Sequence, residues 1–205
     1  MNRDVRLSDL VTPTAYELFL NVSPSSPEYS GRVSIDLRLS ADLFSIELHA
    51  KGLTLVTALY DGLEEQQNLT VERLTDTRVR LLSSAALKAG NGRLIIEFKG
   101  KLSTTPDGLY AVKDGEEHYI FSQFEPIAAR TAFPCFDEPR FKASFTISVR
   151  VPQGQTVVSN APESRRHSDS LGKMTFEFKP TKPIPSYLVA FGVGPLEIVD
   201  TGITI

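Results

Sequence analysis

The chain has 205 residues, with 22 Lys and Arg against 25 Asp and Glu, a formal net charge of -3 and a pI near 5.7. That is enough chain to bury a substantial core at roughly 150 residues per domain, with no basic excess to serve nucleic acid. The one pair of adjacent arginines, Arg165 and Arg166, lacks interleaved aromatics and reads as a solvated loop.

From the amino terminus, the first twenty residues contain no apolar core of a secretory leader. Tyr16, Leu18, Leu20 and Val22 then alternate with polar residues, and Val33, Ile35, Leu37 and Leu39 do the same after the turn-forming segment from Ser23 to Gly31. These two runs predict a β-hairpin. Phe44, Ile46 and Leu48 form a further alternating run, followed by strands over "LTLVTALY", "LTVER", "TRVRLL" and "RLIIEF". The stretch "SSAALKAG" predicts a short helix capped by Ser83 or Ser84 and stopped by Gly90.

The segment from Gln123 to Pro139, "QFEPIAARTAFPCFDEP", breaks this pattern by crowding Glu125, Arg130, Asp137 and Glu138 among three phenylalanines and three prolines. Pro126 to Ala132 predicts a helix, which places Glu125 at its amino-terminal end, where a carboxylate is electrostatically favoured. Past this loop, Ala143, Phe145, Ile147, Val149 and Val151 form the longest stripe of alternation in the chain. "TVVSN" and "KMTFEFK" follow, and Tyr187, Val189, Phe191 and Val193 predict a last strand before Pro195. About a dozen strands with almost no helical period predict an all-β fold: a two-sheet sandwich or saddle with mostly antiparallel strands, in a single domain over 1–205. The closing residues "LEIVDTGITI" carry no stop signal and read as the start of another segment.

Alone, the sequence shows no visible catalytic apparatus. The three histidines are isolated, and there is no H-E-x-x-H, no paired-cysteine metal spacing, no G-x-S-x-G elbow and no phosphate-cradling glycine loop. Cys135 is the lone cysteine, which excludes an intrachain disulfide; it reads as a small buried hydrophobe, the alternative being a nucleophile brought beside a histidine by folding. The longest charge-free stretch, Pro183 to Leu196, is 14 residues with three prolines, short of the roughly 20 needed for a membrane span. The chain reads as soluble, cytoplasmic or exported, and as binding no metal itself.

Several separated motifs together resemble the amino-terminal domain of the aminopeptidase N family of zinc metallopeptidases. They are "GLY" at Gly108 to Tyr110, the segment from Ser122 to Pro152, "VVSNAP" at Val157 to Pro162 and "PIPSYLVAFGVG" at Pro183 to Gly194, with "VTPTAYELFLNV" from Val11 to Val22 matching the opening strand. The resemblance implies a β-rich saddle packed on a thermolysin-like catalytic domain of the same polypeptide. That domain would carry the G-x-M-E-N motif and the zinc ligands, none of which occurs here. It also implies that Glu125 helps to hold the free α-ammonium of a peptide substrate while Gln123 lines the pocket for the first side chain. The related epoxide-hydrolase branch has Gln where Glu125 stands, so Glu125 points to the aminopeptidase branch.

Without the resemblance, Glu125 reads as a capping or salt-bridged carboxylate paired with Arg130, and Gln123 as a strand-end amide bonded to backbone. Arg130 and Asp137 are expected to pair and, with Pro134 and Pro139, to stiffen the loop that presents Glu125. A non-catalytic scaffold of the same architecture and a free-standing β-sandwich binding module are the competing functions. A missing neighbour domain would leave an apolar patch beside Glu125.

Overall fold

A computed structural model describes residues 6–62 and 66–199; the first five residues and the end of the closing segment, 200–205, lie outside it. The alternating runs become strands β1 (Val11–Asn21), β2 (Glu28–Leu39), β3 (Leu43–His49), β4 (Thr54–Asp61), β5 (Gln66–Asn68), β6 (Thr70–Arg73), β7 (Arg78–Leu87) and β8 (Gly90–Lys101). Then come β9 (Gly108–Asp114), β10 (Glu117–Gln123), the one-turn helix α1 (Ala129–Ala132) and β11 (Lys142–Pro152). The chain finishes with β12 (Thr156–Ser159), β13 (Glu163–Ser168), β14 (Lys173–Phe178), β15 (Ile184–Pro185) and β16 (Phe191–Gly194).

The fold is all-β and mostly antiparallel. Its strands are divided among three sheets: a large one in the order β13-β14-β11-β1-β2-β8-β4-β5 with β15 on β11, a second of β12-β16-β10-β9, and a third of β3-β7-β6. β1 and β2 pair as the hairpin that their alternation predicts, and β1 also pairs in parallel with β11 from Ala15↔Ser144 to Asn21↔Arg150. Two buried stripes, Tyr16, Leu18 and Leu20 on β1 and Ala143, Phe145, Ile147, Val149 and Val151 on β11, thus lie side by side at the centre of the large sheet. The inward side chains of all three sheets form one contiguous core.

Three expectations of local structure are corrected. Residues 83–87 continue β7 instead of forming a helix. Leu87 pairs with Leu43 of β3, and Ser83 hydrogen-bonds Gln67, so sheet partners outweigh a weak local preference for helix. The helix expected from Pro126 begins only at Ala129, because residues 124–128 close a turn in which the Ala128 amide donates to the Phe124 carbonyl at 2.8 Å. The strand expected from Tyr187 starts at Phe191: Ser186–Leu188 form a 3-10 turn, and Asn160 donates to Leu188 O and accepts from the Ala190 amide.

A chain of aromatic contacts joins the sheets through the irregular loop. Tyr16 stacks on Phe145 at 4.4 Å, Phe145 meets Phe133 edge-on at 6.3 Å, Phe133 meets Phe124 at 5.9 Å, and Phe124 meets Phe191 of β16 at 6.4 Å. The loop is therefore an interior layer between two sheets, with geometry of the kind favoured by aromatic quadrupoles. Phe145→Ala removes the ring in contact with both sheet and loop, and is expected to lower the unfolding free energy by about 3–5 kcal/mol in urea titrations followed by circular dichroism.

Candidate functional site

β10 delivers the site residues by simple alternation. Ile120 points into the core, so Tyr119, Phe121 and Gln123 lie on the opposite face; the next residue, Phe124, turns inward and is buried. Glu125, Pro126 and Ile127 then emerge together into solvent, with the Glu125–Pro126 peptide bond cis. Gly108, which pairs with Gln123, has φ +74°, and a Cβ there would lie 2.2 Å from Thr131 Oγ1. Only glycine permits β9 to run this close to α1.

Buried polar groups hold the loop from behind. Arg130 Nε donates to Asp137 Oδ2 at 2.8 Å, Arg130 Nη2 donates to the Asp137 carbonyl at 2.7 Å, and the Arg130 amide reaches Oδ2 at 3.3 Å. Ser186 Oγ donates to the other carboxylate oxygen, Oδ1, at 2.5 Å. Asp137 is 2% exposed, and its amide donates to Nδ1 of His49 at 3.3 Å. The His49 backbone exchanges hydrogen bonds with Cys135 at 2.9 and 3.0 Å, and the Lys51 amide donates to the Arg130 carbonyl at 2.8 Å. Tyr16 Oη accepts from the Phe136 amide at 3.1 Å. Glu138 accepts from the Leu7 amide and from Arg140, each at 2.6 Å.

Against this background Glu125 stands out. From Gln123 to Arg140, every other charged side chain has an ion-pair partner within the chain. Glu125 has no hydrogen-bond or ion-pair partner among the described residues, and neither does the Gln123 side chain. The helix terminus expected to stabilise Glu125 begins four residues further on, and Arg130 is committed to Asp137, so the capping and salt-bridge readings of Glu125 are overturned. Pro134 is buried in the loop, and Pro139 lies exposed beside Arg140.

The face of the second sheet that carries Gln123 is apolar. Tyr119 stacks on Phe121 with parallel rings at 6.1 Å, and Tyr110 flanks Phe121 at the same distance. β16 runs antiparallel beside β10, with Gly192 and Gly194 next to these rings. A Cβ on Gly194 would sit 2.3 Å from the Tyr119 ring, and one on Gly192 would touch both Phe121 and Val158. Val112 and Val158 are 36% and 40% exposed on this sheet, and Ile127 beside Glu125 is 56% exposed.

Residues 12–188 match the Peptidase M1 N-terminal domain family. The chain is 32% identical over 207 residues to Endoplasmic reticulum aminopeptidase 1 of Homo sapiens, covering 96% of this chain and 22% of that protein. It is 33% identical over 195 residues to the leucyl aminopeptidase of Saccharolobus solfataricus, and 35% identical over 202 residues to probable M1 family aminopeptidase 1 of Encephalitozoon cuniculi. Those alignments cover 94% and 95% of this chain and 23% of each relative. The chain belongs to the Peptidase M1 N-terminal domain family. It spans less than a quarter of the length of the relatives it matches.

Within this M1 N-terminal domain, sequence reasoning singled out Gln123, Glu125, Arg130 and Asp137 but missed His49, Ser186 and Tyr16. All three reach the loop from elements far away in sequence, and no local signal marks them; His49 is separated from Asp137 by 88 positions. The nucleophile alternative for Cys135 fails despite the His49 backbone beside it. Burial, with the Asp137 charge adding to it, pushes the thiol well above its ordinary pKa, whereas a reactive cysteine needs an accessible thiolate.

His49 itself is held well below its usual 6.5, at about 4, chiefly by burial and then by the Arg130 guanidinium. Its folded pKa is depressed, so the neutral ring is favoured in the native state. Its stabilisation is complete above pH 6.5 and is lost as pH falls toward 4, while the unfolded chain takes up a proton that the folded chain refuses. The loss is on the order of 3 kcal/mol. Urea midpoints should decline between pH 6.5 and 4.5 in the wild type and much less in His49→Asn. Removing the carboxylate with Asp137→Ala leaves the largely covered Arg130 side chain, 11% exposed, without its partner and is expected to lower stability by about 3 kcal/mol at pH 7, read from the same titrations.

Proposed function

We propose that this chain is the amino-terminal domain of a longer zinc-dependent aminopeptidase, and that Glu125 and Gln123 recognise the free amino terminus of its peptide substrates. The observation that carries the reading is the isolation of Glu125: a carboxylate without a partner among the described residues, on a loop whose other charges are all paired, beside an apolar sheet face. The relatives named above are aminopeptidases, which supports the same activity in the parent polypeptide.

The chemistry follows from charge and desolvation. A substrate α-ammonium taken out of water needs an ionised acceptor, and Glu125 supplies a charge-assisted hydrogen bond that an acylated amino terminus cannot return. Clamping that end of the substrate leaves only the first peptide bond in reach of the reacting centre, which makes a protease an exopeptidase. Gln123, one strand repeat earlier on the same exposed side, would contact the first side chain. Arg130 and Asp137, with Pro134 and Pro139, would support the loop.

The face of Tyr110, Tyr119, Phe121, Val112 and Val158 suits a covering neighbour, and the catalytic domain of the same polypeptide is the partner assigned to it here. Among the described residues no group of three or more His, Cys, Asp or Glu side chains is placed to hold a metal ion. On this reading the metal belongs to the catalytic domain, and no step on this chain runs through it.

The test is kcat/KM of the parent polypeptide on a free-amino aminoacyl-anilide, wild type against Glu125→Ala. Loss of a charged hydrogen-bonding partner, about 1.5–3 kcal/mol, should lower kcat/KM by roughly ten- to a hundredfold with zinc retained. An active parent indifferent to the substitution would make Glu125 structural, and an inactive wild type would make the chain part of a scaffold.

A further inference from the structure

We propose that His49 is a positioning residue for the amino-terminus-binding loop: its ring and backbone clamp the carboxyl-terminal side of that loop and so fix where Glu125 stands. The effect on catalysis rests on the function proposed above; the clamp itself does not.

The loop is held at two ends. On one side β10 pairs Gln123 with Gly108. On the other, the end of β3 and the residues after it run along the segment from Arg130 to Asp137, with His49 bonded to Cys135 in both directions and the Lys51 amide bonded to the Arg130 carbonyl. The His49 ring makes the third attachment, accepting the Asp137 amide at Nδ1, which leaves the ring proton on Nε2. Asp137 in turn receives Arg130 and Ser186, and Arg130 lies in α1, five residues after Glu125. Between the two anchors only residues 125–127 are exposed. A shift of α1 is therefore passed to Glu125 through a short connection.

The chemistry of the position calls for a neutral acceptor. The ring is faced by Arg130, Asp137 and Glu138 of the loop and by Arg78 of β7. A carboxylate in place of the imidazole would compete with Asp137 for Arg130, and an apolar side chain would leave the buried Asp137 amide unpaired. Protonation of His49 would turn Nδ1 from acceptor into donor, release that amide and set a second cation beside Arg130.

The experiment compares wild type, His49→Leu, His49→Asn and Glu125→Ala in the polypeptide that includes the catalytic domain. Asn offers an oxygen acceptor at about the place of Nδ1, whereas Leu keeps the bulk and offers none. Hydrogen exchange by mass spectrometry on the peptide spanning Phe124 to Asp137 should accelerate about tenfold in His49→Leu and return toward wild type in His49→Asn. For a free-amino anilide, KM should rise severalfold in His49→Leu with kcat nearly unchanged, and His49→Asn should restore it. Mere loss of folded protein would lower kcat and leave KM where it was.

Equal behaviour of the Leu and Asn variants, or unaltered exchange in the loop, overturns the proposal even where Glu125→Ala abolishes substrate selection. Accelerated loop exchange with a KM indifferent to Glu125→Ala supports the clamp and rejects the amino-terminus reading instead. If His49→Leu does not fold, exchange in wild type and His49→Asn is followed from pH 6.5 to 4. The clamp then requires the wild-type loop to loosen as the ring protonates and the Asn loop not to, and parallel curves overturn it.

Discussion

The ion pair between Arg130 and Asp137 is the interaction on which the site loop depends. Burying two charges is costly, and their attraction offsets that cost only when the remaining polar atoms are satisfied. Here they are: both carboxylate oxygens of Asp137, its carbonyl and its amide all have partners, supplied by Arg130, Ser186 and His49. Because those partners come from β3, α1 and the turn before β16, the pair ties three distant parts of the chain to one point.

A saturated polar network allows an irregular segment to serve as an interior layer. Residues 124–136 carry few backbone ladder bonds, so they would otherwise present unpaired amides and carbonyls to the core. Tyr16 Oη takes the Phe136 amide, Tyr29 Oη donates to the Thr131 and Ala132 carbonyls, and the His49 backbone takes both polar groups of Cys135. With those satisfied, Phe124, Phe133 and Phe136 are free to contribute apolar surface to both neighbouring sheets. Polar closure and aromatic packing are thus two halves of one solution: the first makes burial of the loop possible, and the second makes it favourable.

The sequence discloses this arrangement unevenly. Period-two alternation marks the strands well because one face of each is core, and the β11 stripe from Ala143 to Val151 is buried at all five positions. It does not reveal how strands divide among sheets, since alternation says which side is buried but not against what. The short runs at residues 83–87 and 126–132 mislead because helix propensity over one or two turns is smaller than the energy of sheet pairing or of a packed turn. Glu125, Arg130, Asp137 and Glu138 were legible as a crowded set of charges in an apolar loop, and Gln123 only through the family resemblance. His49 was not, because its role exists only once β3 has been brought beside a segment far along the chain.

The charge economy of the loop explains why one carboxylate is left over. Arg130, Asp137, Glu138 and Arg140 satisfy one another or the backbone and would gain little from an external partner. Glu125 is exposed, so water solvates it and its lack of a partner among the described residues costs little. That changes once a neighbour covers the adjacent rings and Ile127: water is excluded, and an ionised carboxylate without a cation becomes unfavourable. On the function proposed above, domain packing and substrate recognition are coupled through one group. The apolar face would give the neighbour a reason to dock, docking would strip Glu125 of water, and the desolvated carboxylate would favour a cationic group of the size and donor geometry of an α-ammonium. The rigid backing from Asp137 and His49 matters for the same reason: a loop free to swing outward would recover its water and lose the preference.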